Sequence, residues 1–155
     1  MGDTLNIGIA EIKIAKCPDK LRTVLGSCVG VAIFDRVSKV GGIAHVMLPD
    51  SSIGKGDKGK FADTAVDALI EDVAGAGGQL KRLAAKISGG ASMFGTNVDK
   101  GIGERNIQAV KERLKKHTIR LLAEDVGGNK GRRMILDPAS GEVTVQVIGA
   151  EPVVI

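Results

Sequence analysis

Residues 21–49 hold two long apolar runs on either side of a short polar turn, and this arrangement limits the folds open to the chain. The first run, residues 23–34, is uncharged and rich in β-branched and small side chains. That composition predicts a buried strand over residues 24–34, beginning close to Cys28. Asp35-Arg36-Val37-Ser38-Lys39 turns the chain, and residues 42–48 form the next strand, ended by Pro49-Asp50-Ser51-Ser52. The two strands are expected to be neighbours. One of the chain's two cysteines, Cys28, lies in the first run, and one of its two histidines, His45, in the second.

The remaining segments fit around that pair. Residues 5–9 alternate with period two and the phase then slips, which predicts an edge strand with a bulge near Ala10 and Glu11. Residues 53–60, rich in Gly and Lys, read as a solvated, mobile loop. Ala62, Ala65, Val66, Leu69, Ile70 and Val73 recur at helical spacing, and Gly75-Ala76-Gly77-Gly78 ends that helix. A strand over residues 80–87 runs into the glycine-rich bend 88–94. A second helix covers residues 103–116, with Ile107, Val110 and Leu114 facing inward. A strand at 119–124 and a polar loop at 125–133 follow. A hairpin of residues 134–136 and 142–148 comes next, and the tail 149–155 has no assignable structure. The sum is an α+β chain of six to eight strands and two helices, read as one domain over residues 1–155. With three Phe and no Tyr or Trp, its core must be aliphatic.

Composition narrows the function. The net charge of +4 suits an acidic partner. The scarcity of aromatic side chains argues against nucleic acid, because bases would have nothing to stack on. No basic, then apolar, leader opens the sequence. The uncharged run 23–34 is far short of the ~20 residues a membrane span requires. These features point to a soluble, cytoplasmic protein without membrane insertion.

Three constellations carry chemistry. Gly54, Gly59 and Lys60 match most of a phosphate-binding loop, but Phe61 stands where a hydroxyl should hold magnesium, so a solvated loop is favoured. Cys17, Cys28, His45 and His117 lack the close pairwise spacing of zinc ligands; His117, following two lysines at a helix end, suits the negative end of the helix dipole. No metal and no cofactor are expected. The third constellation, Cys28 with His45, is open to two readings. Both side chains are compatible with ordinary core positions. Alternatively, they form a nucleophilic pair. Gly26 and Ser27 give close backbone approach before Cys28, and an ionisable His45 inside an apolar run needs a reason. A thiol of pKa ~8.5 beside an imidazole of ~6.5 supports acyl transfer to sulfur, with the imidazole protonating a leaving amine.

Beyond these residues, ordered motifs resemble the CheD family of chemoreceptor glutamine deamidases. They are Thr23-Val-Leu-Gly-Ser-Cys28-Val, Gly42-Ile-Ala-His45-Val-Met-Leu-Pro49 and Phe61-Ala-Asp-Thr-Ala65. Lys86-Ile-Ser-Gly-Gly-Ala-Ser-Met-Phe94, Ile102-Gly-Glu-Arg-Asn106 and Glu124-Asp-Val-Gly-Gly-Asn129, with Arg132 close behind, complete the series. The resemblance implies a protein-glutamine glutaminase that converts glutamines of methyl-accepting chemotaxis receptors to glutamate and ammonia through a cysteine thioester. It implies Cys28 as nucleophile, His45 as general base and acid, and Thr23 as the third catalytic residue. It also implies a two-sheet β-sandwich with helices packed on one side, similar to the catalytic domain of cytotoxic necrotising factor toxins. A CheC-type phosphatase is a further expected partner. The alternative is an adaptor that binds receptors or such a phosphatase without turnover. Residues 88–94 and 125–129 are expected to line the cleft.

Overall fold

A computed structural model describes residues 2–93 and 101–155. The strands, in chain order, are β1 (Thr4–Asn6), β2 (Ile12–Lys16), β3 (Lys20–Leu25), β4 (Val29–Asp35) and β5 (Val40–Val46). They continue with β6 (Ala84–Gly89), β7 (Arg120–Val126), β8 (Arg132–Asp137), β9 (Glu142–Val147) and β10 (Val153–Val154). The described α-helices are α1 (Ala62–Gly75) and α2 (Ile102–Lys116), and short 3-10 turns lie at Ser51–Ile53, Lys58–Lys60 and Leu80–Arg82. The strands form two mixed five-stranded sheets, in the orders β1-β3-β8-β9-β10 and β2-β5-β4-β6-β7. In the first, β1 and β3 are parallel; in the second, β6 and β7 are parallel.

Alternation along β4 explains the layering. Val29, Val31 and Ile33 pack with Leu69, Val73, Val110 and Leu114 of the two helices, whereas Ala32 and Phe34 pack with Leu21, Met134 and Leu136 of the first sheet. Both faces of β4 and β5 are therefore buried, which is why these strands read as near-continuous apolar runs. The result is an α+β sandwich of two sheets with both described helices on one side. Among the described residues no helix is long and apolar enough to cross a membrane.

Most elements lie where periodicity predicts. All six α1 positions named above are buried, as are Ile107, Val110 and Leu114 of α2. Several expectations change: ten strands are described rather than six to eight, and the strand expected from residue 80 begins at Ala84, after a 3-10 turn at Leu80–Arg82. The strand expected over residues 24–34 is two strands of different sheets, β3 and β4, with residues 26–28 crossing between them. An unbroken apolar run cannot reveal this, because both pieces have a buried face. The phase slip after residue 9 is likewise a change of sheet rather than a bulge. β1 pairs with β3, β2 pairs with β5, and Ala10 takes a φ of 65° in the crossing. The tail is not structureless, since Val153 and Val154 extend the first sheet alongside β9.

The lysine-rich loop is more tightly held than its composition suggests. Gly59 is buried, and a Cβ there would lie 2.3 Å from the Ala10 carbonyl oxygen. The Lys60 carbonyl accepts hydrogen bonds from the N–H groups of Met47 and Leu48. Phe61, where a phosphate-binding loop needs a hydroxyl, is 3% exposed and built into the core.

Candidate active site

β4 and β5 are antiparallel, with Val29 opposite Val46 and Gly30 opposite His45. Cys28, one residue before β4, is thus a diagonal neighbour of His45 on the face turned toward the first sheet. Such diagonal pairs stand about 7–8 Å apart at Cα, within reach of a ring side chain. Gly30 lies between them without a side chain. A Cβ there would meet the Met134 sulfur at 2.6 Å and a Leu25 methyl at 3.0 Å, so the first sheet closes over this position.

Thr23 reaches the same place from the opposite sheet, as the inward residue of β3 paired with Met134. Its Oγ1 lies 2.7 Å from Nδ1 of His45 and 2.8 Å from the carbonyl oxygen of Ile7. A hydroxyl has one proton, and only donation to Ile7 satisfies that carbonyl. Thr23 Oγ1 therefore accepts from Nδ1–H, a tautomer assigned from the hydrogen-bond network. Nε2 is left as the ring's basic nitrogen. Thr23 and His45 are 2% and 3% exposed, so this hydrogen bond is shielded from competing water.

Burial sets the charge of the pair. It pushes the His45 pKa below the ordinary imidazole value, against a weaker upward pull from Glu11, and it raises the Cys28 thiol. Both shifts favour the neutral forms, a thiol at Cys28 and an imidazole at His45.

The backbone carrying Cys28 is held from two directions. The Cys28 carbonyl accepts from Gly90 N–H at 2.8 Å, and the Gly26 carbonyl from Ala91 N–H at 2.9 Å. This approach requires glycine at position 89: its φ is +102°, and a Cβ would fall 2.3 Å from the Cys28 carbonyl oxygen. On the other side, the Asn106 side chain of α2 donates to the carbonyls of Ser27 (3.2 Å) and Met47 (3.0 Å).

The two glycine segments expected at the cleft are joined to each other. Gly127 N–H donates to the Gly89 carbonyl and Ser92 N–H to the Gly128 carbonyl, both at 2.9 Å. Arg132, 4% exposed, holds the 125–130 loop by donating to the Asp125 carboxylate and to the carbonyls of Asp125 and Gly127. A hollow of about 390 Å³ opens beside these segments, with Gly90, Ser92, Ile107, Lys111, Gly127 and Gly128 among its walls. Phe94, expected at the end of the first segment, lies outside the described residues.

The other candidate ligands do not join this site. Cys17 is exposed in the β2–β3 turn. His117 caps the C-terminus of α2, and its Nε2 is 2.6 Å from the Asp67 carboxylate of α1. Two residues that hold the site were assigned no role from sequence, Asn106 and Arg132. Asn106 had a readable signal, because it shares the buried stripe of α2 with Gly103, Ile107, Val110 and Leu114. A polar side chain on such a stripe needs buried partners.

Comparison with known proteins places the chain in a family. Residues 47–147 match the model of the CheD family, described as CheD chemotactic sensory transduction. The match begins two residues beyond His45, so it does not include Thr23, Cys28 or His45. A relative from Clostridium botulinum strain Eklund 17B, named a probable chemoreceptor glutamine deamidase CheD, is 49% identical over 152 residues, covering 94% of this chain and 93% of that one. Relatives of the same name from Desulforamulus reducens and Syntrophomonas wolfei are 48% and 46% identical, covering 94% and 96% of this chain and 92% and 96% of theirs. Among solved structures, a Neisseria meningitidis protein of the DUF152 family aligns with a TM-score of 0.45 at 10% identity, over 83% of this chain and 62% of that one. Near half-identity maintained along almost the full length of those relatives, together with the family match, shows that the chain belongs to the CheD family.

Proposed function

We propose that this chain is a protein-glutamine deamidase of chemotaxis receptors, acting in the cytoplasm as a single domain over residues 1–155. Cys28 is the nucleophile, His45 the general base and acid, and Thr23 the residue that orients His45. The carrying observation is the hydrogen bond from His45 Nδ1 to Thr23, which leaves Nε2 free on the face shared with Cys28. The relatives' shared name supports the substrate class.

The chemistry follows from the neutral pair. Nε2 takes the thiol proton as sulfur attacks the side-chain carbonyl carbon of a glutamine. The carbonyl oxygen becomes an oxyanion, for which the Cys28 backbone N–H is the donor nearest the forming bond. The resulting imidazolium returns its proton to the amide nitrogen, so that ammonia departs and a thioester remains. Water, deprotonated by His45, then cleaves the thioester to release glutamate and the thiol. No cofactor and no metal enter these steps. The likeness to the cytotoxic necrotising factor catalytic domain, and association with a CheC-type phosphatase, belong to the same proposal.

The test is to incubate the full chain with a receptor cytoplasmic fragment and follow Gln-to-Glu conversion by peptide mass spectrometry. Conversion is expected with the wild-type protein and not with Cys28→Ala or His45→Ala. Conversion surviving in Cys28→Ala refutes the thioester route, and binding of the fragment without any conversion establishes the adaptor alternative instead.

A further inference from the structure

We infer that Asn106 is a positioning residue that aims the Cys28 backbone N–H at the developing oxyanion. The inference rests on the deamidase reading above and adds to it a residue on a helix far from the Cys–His pair in sequence.

Asn106 is fully buried on α2, and its amide nitrogen lies against two carbonyl oxygens, those of Ser27 and Met47. Facing two acceptors, the side chain can present only its NH2 group there, which settles its orientation. Both N–H bonds are used, one for each carbonyl. Ser27 precedes the nucleophile, and Met47 is two residues past His45. One carboxamide therefore ties the segment carrying the thiol to the strand end carrying the imidazole.

Peptide planarity converts this tie into an aim. In the trans Ser27–Cys28 peptide the C=O and N–H bonds point in opposite directions. With the Ser27 carbonyl directed at Asn106, the Cys28 N–H is directed away from α2. Among the described residues, nothing accepts a hydrogen bond from that N–H. The Gly90 N–H bond to the Cys28 carbonyl fixes the following peptide in the same way, so the nucleophile is held between two peptides of set orientation. The close approach of α2 needs glycine at its first turn: a Cβ on Gly103 would lie 2.5 Å from the Gly90 carbonyl oxygen.

The other atom of the carboxamide bears on its role. Asn106 Oδ1 is buried without a partner among the described residues. A group present only for packing would leave no such orphan, because an apolar side chain of similar volume strands nothing of its own. The carboxamide is retained for its two donors.

The experiment separates oxyanion alignment from thiol activation and from simple loss of structure. Asn106→Ala is compared with the wild-type full chain in three assays: receptor deamidation, inhibition by a peptide aldehyde carrying a glutamine-like side chain, and alkylation of Cys28 by iodoacetamide. The thiolate adds to the aldehyde carbon, and the carbonyl oxygen takes the electron pair and then a proton, so the adduct needs the same donor. Alkylation displaces iodide and forms no oxyanion. We expect kcat to fall about 10²-fold, aldehyde affinity to fall by a similar factor, and alkylation to stay within threefold of wild type. Retention of kcat within threefold, or an equal fall in all three, overturns the inference. Should Asn106→Ala not fold, Asn106→Asp supplies the test. Its buried carboxyl donates one hydrogen bond when protonated, so its activity relative to wild type should rise as pH falls, and a flat ratio overturns the inference. If the wild-type chain deamidates no receptor, the proposed function fails. The contrast between aldehyde and iodoacetamide still decides the role of Asn106.

Discussion

At the Asp35 end of β4 a buried carboxylate is fully engaged: the N–H groups of Val37, Ser38 and Gln79 donate to it, and so does the Arg82 guanidinium. At the Cys28 end, three buried polar atoms, Ser88 Oγ, Asn106 Oδ1 and Arg132 Nε, have no partner among the described residues. The same strand thus runs from a satisfied turn to an incompletely satisfied one. Satisfaction at the Asp35 end locks the β4–β5 turn onto the segment before β6. At the other end, glycine at positions 30 and 89 lets backbone and side chains approach closely, and the Cys28 N–H has no acceptor among the described residues. A buried polar group left without a partner costs about 1–3 kcal/mol. That cost is carried where the chemistry is proposed to occur, while the far end of the strand supplies stability.

Substitutions at the two ends should therefore separate activity from stability. Cys28→Ala is expected to lower deamidation by on the order of 10⁴-fold or more while moving the melting temperature little, as followed by mass spectrometry beside a thermal melt. Asp35→Ala should do the reverse. It strands three N–H groups and a guanidinium, destabilising the fold by about 3 kcal/mol in urea titration, with kcat per folded molecule unchanged. The Arg82 side chain is 40% exposed, so Arg82→Ala should cost less, about 1 kcal/mol. A fall in kcat in the Asp35 variant, measured well below its unfolding midpoint, would break the division between the two ends.

Thr23 sharpens the contrast because it bridges both sheets. Thr23→Val keeps the shape but removes the hydroxyl, leaving His45 Nδ1–H and the Ile7 carbonyl unpaired. We expect about a 10²-fold loss of kcat, the low end of general acid–base contributions, and about 1–3 kcal/mol of stability. Thr23→Ser should recover most of both. Full activity in Thr23→Val would show that another contact orients the ring.

The smallest expected effect is in the pH profile. Burial holds His45 below the ordinary imidazole value of ~6.5. His45 therefore stays unprotonated further into acid, and on the proposed mechanism the acidic limb of kcat/KM should lie below pH 6.5. The unfolded chain takes up that proton first, so stability should decline as pH falls from about 6.5 and level off once the folded imidazole also protonates. An acidic limb above 6.5 would mean that His45 is less shielded than its 3% exposure indicates.

Much of this was legible in the sequence. The spacing of apolar residues located α1, α2 and the β8–β9 hairpin, because amphipathic periodicity is a local property of the chain. The same runs placed Cys28 near the start of one strand and His45 in a neighbouring one, and the ordered motifs pointed to the family. Other features depended on contacts that no local pattern encodes. Residues 24–34 divide between two sheets at the glycine-containing crossing 26–28, since an apolar residue is equally content on the inner face of either sheet. Thr23 meets His45 across the sandwich, and Asn106 grips Ser27 from a helix 79 residues along the chain. The sequence by itself determined which residues could be buried and which groups could react. Only the tertiary structure decided which buried faces meet, and with that which nitrogen of His45 meets the Thr23 hydroxyl.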